Sequence, residues 1–336
     1  MLTNPIITGY QYRAFPLSII GTHTACFPWI FENFIQLRCS KSFEEPQRAF
    51  DFADPNLLYN PTPWLATQRL EKAFSGDHAA LQRLVIDSLQ NNYYVYLYVD
   101  EYFIPNRVPF GKTHIPHDIL ISGYDDATAT FEVAGFDEQG TYQQTQVTYL
   151  QFQQATQATV HNQLWPAAHN QLLLLRLNSD ACYRFALSHV KELLTAYLMS
   201  TIPSYPSIQT QPVPDSAYGL EVYEMLQRYV QLGQKRHIEL ETRPFQMLLE
   251  HKQLMQRRLT YLQTLGYLDQ QTHLTQKYAE IAKVCLAARN ALIKYQITDQ
   301  ERLLAKIQAH MITIQKQERD VLNELVEKLP SSHKDR

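Results

Sequence analysis

The sequence predicts an α+β protein: a mixed domain with an antiparallel sheet, followed by an all-helical domain. Three observations carry this reading. Apolar, β-branched and aromatic runs succeed one another between Tyr93 and Leu177. A stretch holding Pro203, Pro206, Pro212 and Pro214 then interrupts the chain, and proline is excluded from helix interiors. From Ala217 onward the apolar residues recur at three- and four-residue spacing. Strands in succession followed by helices in succession separate into an α+β domain and a helical one. The 336-residue length suits two domains, at roughly 100–200 residues each. The expected divisions are 1–178 for the mixed domain, 179–215 for a helix and Pro-rich linker, and 216–330 for a helical bundle.

Each element follows from its local pattern. Residues 1–60 are aromatic and irregular, apart from a short helix predicted over Pro28–Leu37. There Trp29, Ile30, Phe34 and Leu37 share a face, and Pro28 suits the first turn because its missing N–H has no partner to lose. Cys26 would sit just before that helix. Prolines 55, 61 and 63 mark a loop. A helix from Trp64 to Phe74 follows, and then another capped by Asp77, with Leu81, Leu84, Val85 and Leu89 on one face. The period then changes to that of strands, over Tyr93–Val99, Asp118–Tyr124, Ala129–Val133, Thr141–Tyr149 and Gln171–Leu177. A tight turn at Asp125-Asp126 joins the second strand to the third.

Beyond these strands the pattern is helical. Helices are predicted at about 180–199, from Ala217 to Leu232, from Arg243-Pro244 through Leu262, and from Thr272 to Tyr295. A last one opens with Thr298 and Glu301 in capping-box spacing. Leu304, Ile307, Met311, Ile314, Val321 and Leu325 form a nearly heptad seam in it. Glu318 interrupts that seam, which favours an intramolecular bundle over a long coiled coil. Lys252, Arg257 and Arg258 read as a solvated face with Glu250, one that could meet an acidic partner such as a carrier protein.

Composition excludes several function classes. The net charge of −3 supplies no basic field for phosphates, so nucleic acid is not an expected partner. Only 10 glycines are present, with no GxGxxG and no GxxxxGK[ST], which removes dinucleotide and P-loop readings. The four cysteines, Cys26, Cys39, Cys182 and Cys285, form no CxxC pair, so neither a disulfide framework nor a zinc knuckle is expected. HExxH is absent. His114 and His117 lack a third ligand at a recognisable spacing, so no metal or other cofactor is predicted. The opening residues do not resemble a signal peptide, and no apolar run approaches the ~20 residues of a membrane span. The cytoplasm is the expected compartment.

The densest polar cluster is KTHIPHDILISGYDD, residues 112–126. His117 opens a strand and Asp137 follows that strand's hairpin partner. An Asp so placed can orient an imidazole and stabilise its charged form. A cysteine at a helix N-terminus beside that imidazole would be held as the nucleophilic thiolate. Cys26 is the cysteine placed for this by the predicted helix. Against it stand plainer roles: a buried thiol for Cys26, a turn residue for Asp137 and a strand-end histidine for His117. Asp100-Glu101 reads as an exposed pair at a strand end.

The order Cys, His on a strand, Asp after the next strand resembles the papain-like superfamily. HDILISGYDDATATFEVAGFD is similar to the His-to-Asp hairpin of bacteriocin-processing cysteine peptidases. It is similar also to the N-terminal domain of the butirosin-biosynthesis acyltransferase family. With YYVYLYVDEYFIP and RPFQMLLEHKQLMQRRLTYL, the chain resembles uncharacterised proteins encoded near peptide-assembly genes. The resemblance covers about residues 8–160. It implies a papain-like fold, with His117 as base and Asp137 as its orienting partner. It also implies acyl transfer or thioester or amide hydrolysis, linked to peptide natural-product biosynthesis, on a peptide or a carrier-bound substrate. In these families the cysteine opens the first helix. The matching stretch here, GYQYRAFPLSII, has none. Cys26 substitutes, or the alignment has slipped, or the domain has lost catalysis and remains as an accessory module that binds a carrier or partner protein. What faces His117 decides between them: Cys26, or a non-nucleophile such as Tyr10, Gln11 or Tyr12.

Overall fold

The computed structural model describes residues 2–42, 50–53, 56–60, 62–71, 78–161, 170–202 and 215–330. In chain order these form α1 (Gln11–Ile20), a 3-10 turn (Thr24–Cys26), α2 (Phe27–Asn33), β1 (Leu37–Ser40) and β2 (Asp51–Phe52). Next come β3 (Leu65–Glu71), α3 (His78–Gln90), β4 (Tyr94–Asp100), a 3-10 turn (Glu101–Phe103), β5 (Pro116–Asp125) and β6 (Thr130–Phe136). They continue as β7 (Tyr142–Thr148), α4 (Tyr149–His161), β8 (Gln171–Leu177), α5 (Leu187–Leu198) and β9 (Ser216–Tyr218). After a 3-10 turn (Gly219–Glu221) the chain ends in α6 (Val222–Gln234), α7 (Arg243–Thr264), α8 (Leu274–Thr298) and α9 (Arg302–Lys328). The expected Asp77 cap and the Pro-rich stretch lie outside the described residues.

The chain divides into two compact units. Met1–Cys26 and Pro55–Tyr183 form the first, and Phe27–Asp54 and Arg184–Arg336 the second. The expected division at 178 falls close to the passage at 183. Residues 27–54, however, were expected in the mixed domain and belong to the helical unit, because β1 pairs with β9.

The first unit is built on a six-stranded antiparallel sheet in the order β3-β8-β4-β5-β6-β7. Alternation along β4 sends Val95, Leu97 and Val99 to a core with Leu81 and Val85 of α3 and Phe152 and Ala155 of α4. Tyr96 points the other way, with its ring centroid 6.0 Å from that of Phe15 on α1. One face of the sheet thus carries α3 and α4, and the other carries α1. The helix expected over 64–74 is the strand β3. Its Ala, Gln, Arg, Leu and Glu favour helix locally, yet it pairs residue for residue with β8, from Leu65↔Leu177 to Glu71↔Gln171. The backbone ladder outweighs a propensity of tenths of a kcal/mol per residue.

In the second unit, α7, α8 and α9 pack in succession, with α5 and α6 against α9. The expected capping box is absent. Thr298 is still helical and donates its hydroxyl to the Lys294 carbonyl, and the chain turns on Asp299 in the left-handed conformation. The seam is as expected: Leu304, Ile307, Met311, Ile314, Val321 and Leu325 are buried. Glu318 lies in that seam and is fully buried. It accepts from Tyr197 of α5 (3.0 Å), Tyr223 of α6 (2.5 Å), Tyr278 of α8 (2.8 Å) and Lys252 of α7 (2.6 Å). His251 receives from Lys252 through Nδ1 at 2.9 Å, while its Nε2 lies 2.7 Å from the Ile35 carbonyl. Burial drives the Lys252 pKa down, opposed by Glu318, and drives those of the three tyrosines well up.

The expected solvated face on α7 is corrected by this packing. Glu250, His251, Lys252 and Arg258 are all buried. Arg258 reaches across to donate to the carbonyls of Phe31 and Phe34, each at 2.6 Å, where α2 ends. Of this polar group, Arg257 alone faces water. No helix among the described residues is long and apolar enough to cross a membrane.

Candidate functional site

The candidate site lies in the first unit, where the N-terminus of α1 meets the beginning of β5 and the end of β6. Gln11, the first residue of α1, is buried there. Its amide orientation is fixed from both ends. Oε1 accepts from the Phe136 backbone N–H at 2.7 Å, so it must be the oxygen. Nε2 donates to the Asp118 carbonyl at 2.8 Å, so it must be the nitrogen. That same Nε2 lies 2.8 Å from Nδ1 of His117. One carboxamide therefore ties α1, β5 and β6 together and occupies the space beside the imidazole.

His117 is held from one side only. Its Nδ1 lies 2.9 Å from Oδ1 of Asp118 and 3.8 Å from Oε1 of Glu101. Nε2 makes no hydrogen bond among the described residues, and the side chain remains 43% exposed. Burial would lower the pKa of this imidazole. The hydrogen bond and charge of Asp118, the charge of Glu101 and the Asp118 carbonyl outweigh burial and push it up to about 9. The raised pKa favours the imidazolium, a proton donor or cationic contact, over the free base.

Two further residues complete the cluster. Glu101 is buried, and desolvation raises its pKa against the pull of His117 and Arg107. Arg107 is also buried and donates from Nη1 to the Phe136 carbonyl. Among the described residues its Nε and Nη2 find no hydrogen-bond partner, and Nε lies 3.8 Å from Glu101. Gly135 makes room for this arrangement. A Cβ there would fall 2.6 Å from Arg107 Nη2 and 2.7 Å from Gln11 Oε1. Asp100 is buried too. It caps the following 3-10 turn through the Tyr102 N–H and binds His114 Nδ1 at 2.6 Å. The exposed Asp100-Glu101 pair expected from sequence is thus a buried pair serving two histidines.

The structure does not bring Cys26, His117 and Asp137 together. Cys26 is fully buried in the 3-10 turn before α2, and desolvation pushes its thiol up to about 11. It lies at the far end of α1 from Gln11 along the chain, whereas His117 is approached by the N-terminal end. The carboxylate of Asp137 is taken by its own turn: Oδ1 accepts from the N–H groups of Gln139 and Thr141, and Oδ2 from the Gln143 amide. These local donors make it the residue that holds the β6–β7 connection. Of the three, His117 stands in the cluster, Asp137 touches it through its charge on Arg107, and Cys26 lies apart.

Sequence reasoning missed Asp118, Glu101 and Arg107 as partners of His117. Asp118 follows His117 directly, but adjacent strand residues normally point to opposite faces. Arg107 carried no local signal, since a loop arginine is usually solvated. Among the described residues no three His, Cys, Asp or Glu side chains gather as a metal site. Compared with known proteins, the chain matches no family model and no curated relative.

Proposed function

We propose that the first unit is a papain-like module that has given up nucleophilic catalysis and serves as an accessory module, binding a carrier protein, a partner protein or a peptide. The observation that supports this most is the Gln11 carboxamide. A papain-like enzyme presents a thiolate at the start of its first helix, facing the histidine. Here that position holds an amide whose oxygen and nitrogen are both committed to backbone groups. A carboxamide is not a nucleophile, and this one blocks the approach of another group to Nδ1 of His117. The buried, high-pKa thiol of Cys26 points the same way, because the reactive form of cysteine is the thiolate.

The test is thiol mapping of the full chain. With iodoacetamide at neutral pH, Cys182, which is exposed, labels first, while Cys26, Cys39 and Cys285 stay protected. Acyl thioesters leave no acyl group on Cys26 by intact-protein mass spectrometry. An acyl adduct on Cys26 that disappears in His117→Ala would restore the acyltransferase or hydrolase reading. The Gln11→Cys variant checks the papain-like frame itself. A thiol there, beside an imidazolium and a helix N-terminus, should alkylate faster than Cys182. If it reacts no faster, the frame is wrong.

A further inference from the structure

The six-stranded sheet of the first unit ends in two edges that differ. At one edge, β3 carries Arg69 and Glu71, and its Leu65 bridges back to Thr62. At the other, β7 reads Tyr-Gln-Gln-Thr-Gln-Val-Thr over residues 142–148, with no charge, no proline and no glycine. Charged side chains, prolines and bulges are what keep an exposed edge from pairing with another chain. β7 has none of these. Its register with β6 runs without a shift from Phe136↔Tyr142 to Thr130↔Thr148.

The ladder decides which backbone groups of β7 point outward. Asp137 N–H donates to the Thr141 carbonyl at one end, and Tyr149 N–H to the Ala129 carbonyl at the other. In an antiparallel pair, hydrogen-bonded residues alternate with non-hydrogen-bonded ones. Gln143, Thr145 and Val147 therefore bond to β6, and the N–H and C=O groups of Tyr142, Gln144, Gln146 and Thr148 face away from the sheet. Gln151 covers the Thr148 N–H through its Oε1 at 3.0 Å. The outward N–H groups of Tyr142, Gln144 and Gln146 have no partner among the described residues. Access is open, for Gln143, Gln144, Gln146 and Thr148 are exposed. Neither helix layer covers this edge: α4 turns back against β4, and α1 packs across β5 and β8.

We propose that two copies of this chain pair along β7, antiparallel about a twofold axis at Thr145. Such pairing needs outward-facing residues opposite outward-facing residues. Centred on Thr145, Tyr142 meets Thr148 of the partner subunit, and Gln144 meets Gln146 of the partner subunit. This register uses the whole strand, and the twofold repeats each contact. The central Gln144-Thr145-Gln146 reads the same in both directions, so amide faces amide and Thr faces Thr, a favourable cross-strand pair. Charge complementarity favours a second copy, because no like charges come opposite each other in the ladder. The acids nearby lie off the edge: Glu132 one strand in, on β6, and Asp126 and Glu138 in the turns beyond the two ends of β7. The contact is short, so the association is weak and depends on concentration. It uses the sheet edge alone and is independent of the non-catalytic reading above.

Sedimentation velocity of the full chain, from micromolar to submillimolar concentration, tests the pairing. A concentration-dependent equilibrium of monomer and dimer is expected. Gln144→Lys combined with Gln146→Lys sets lysine against lysine in this register and should weaken the dimer by roughly tenfold or more. Both positions are exposed, so the circular dichroism spectrum should not change. Gln144→Glu combined with Gln146→Lys sets glutamate against lysine and should restore the dimer. Both variants replace the Gln144 amide that accepts from the Ser122 hydroxyl, so the loss of that bond does not distinguish them. Three outcomes overturn the proposal: a chain monomeric at every concentration, which leaves the edge to a strand of some other protein; a dimer unmoved by the lysine pair; and a dimer that the glutamate–lysine pair does not restore.

Discussion

Two polar clusters in this protein solve the same problem in opposite ways. Around Glu318 the second unit buries a carboxylate, an ammonium and three phenols with every group paired and none exposed. Around His117 the first unit leaves an imidazole partly in water, with an adjacent arginine whose Nε and Nη2 make no hydrogen bond among the described residues, although Nε lies 3.8 Å from Glu101. A closed, saturated network fixes one arrangement of helices: each of α5, α6, α7, α8 and α9 sends a side chain to one point, so a slip of any one strands a charge or a hydroxyl. An open, partly unsatisfied cluster keeps hydrogen-bonding capacity in reserve, and reserve capacity is what a ligand can use. The contrast separates a closed, saturated cluster from an open one.

The sharpest way to break the comparison is at the closed cluster. Lys252→Met strands Glu318 in the core and should cost about 3–5 kcal/mol, read by chemical denaturation. The paired change Lys252→Met with Glu318→Leu should recover most of that loss, because a buried ion pair replaced by apolar groups of similar size is often neutral. A double variant as unstable as the single one would show that the phenols, not the ion pair, carry the cost.

The next effect lies at the open cluster. Gln11→Ala frees the Phe136 N–H and the Asp118 carbonyl, each worth about 1–3 kcal/mol when buried without a partner. If Gln11→Ala were neutral in denaturation, the carboxamide would not be the tie between α1, β5 and β6.

A smaller effect is the pH dependence of His117. Its folded pKa of about 9 exceeds the ordinary 6.5, so the folded state holds the proton more tightly. The stabilisation this gives is complete below pH 6.5 and is lost as pH rises through 9. Exposure discounts its size, so a modest fall in Tm across that window is expected, and His117→Gln should flatten it. A rise in Tm over the same window would contradict the Asp118 contact. Smallest of all is Arg257→Ala, at an exposed site, with a change within about 0.5 kcal/mol. Arg258→Met, one residue on, removes the donors to Phe31 and Phe34 and should cost clearly more.

Those neighbouring arginines show where reading the sequence stops. Nothing local distinguishes Arg257 from Arg258. Only the position of the end of α2 in the folded unit gives one of them two carbonyls to hold. The same limit applied at β3, where good helix formers became a strand because β8 offered a ladder, and at Asp137, whose expected imidazole lost to donors within its own turn. Cys26 fell just before a helix as expected, yet at the wrong end of α1 to meet His117. Asp118 follows His117 on the same strand, and since adjacent strand residues normally point to opposite faces, only the structure shows its carboxylate at Nδ1.

By itself the sequence determined what periodicity and composition control. That includes the succession of strands β4 to β8, the long helices α7 to α9 and the buried seam of α9. Hydrophobic burial is summed over many residues of one element, so its pattern survives in the linear order. Tertiary structure alone decided which polar groups meet. Gln11 beside His117 joins positions more than a hundred residues apart, as does the contact of Tyr197 with Glu318. A hydrogen bond or ion pair is made by single atoms at a fixed distance, and no local pattern encodes the partner that folding will place there.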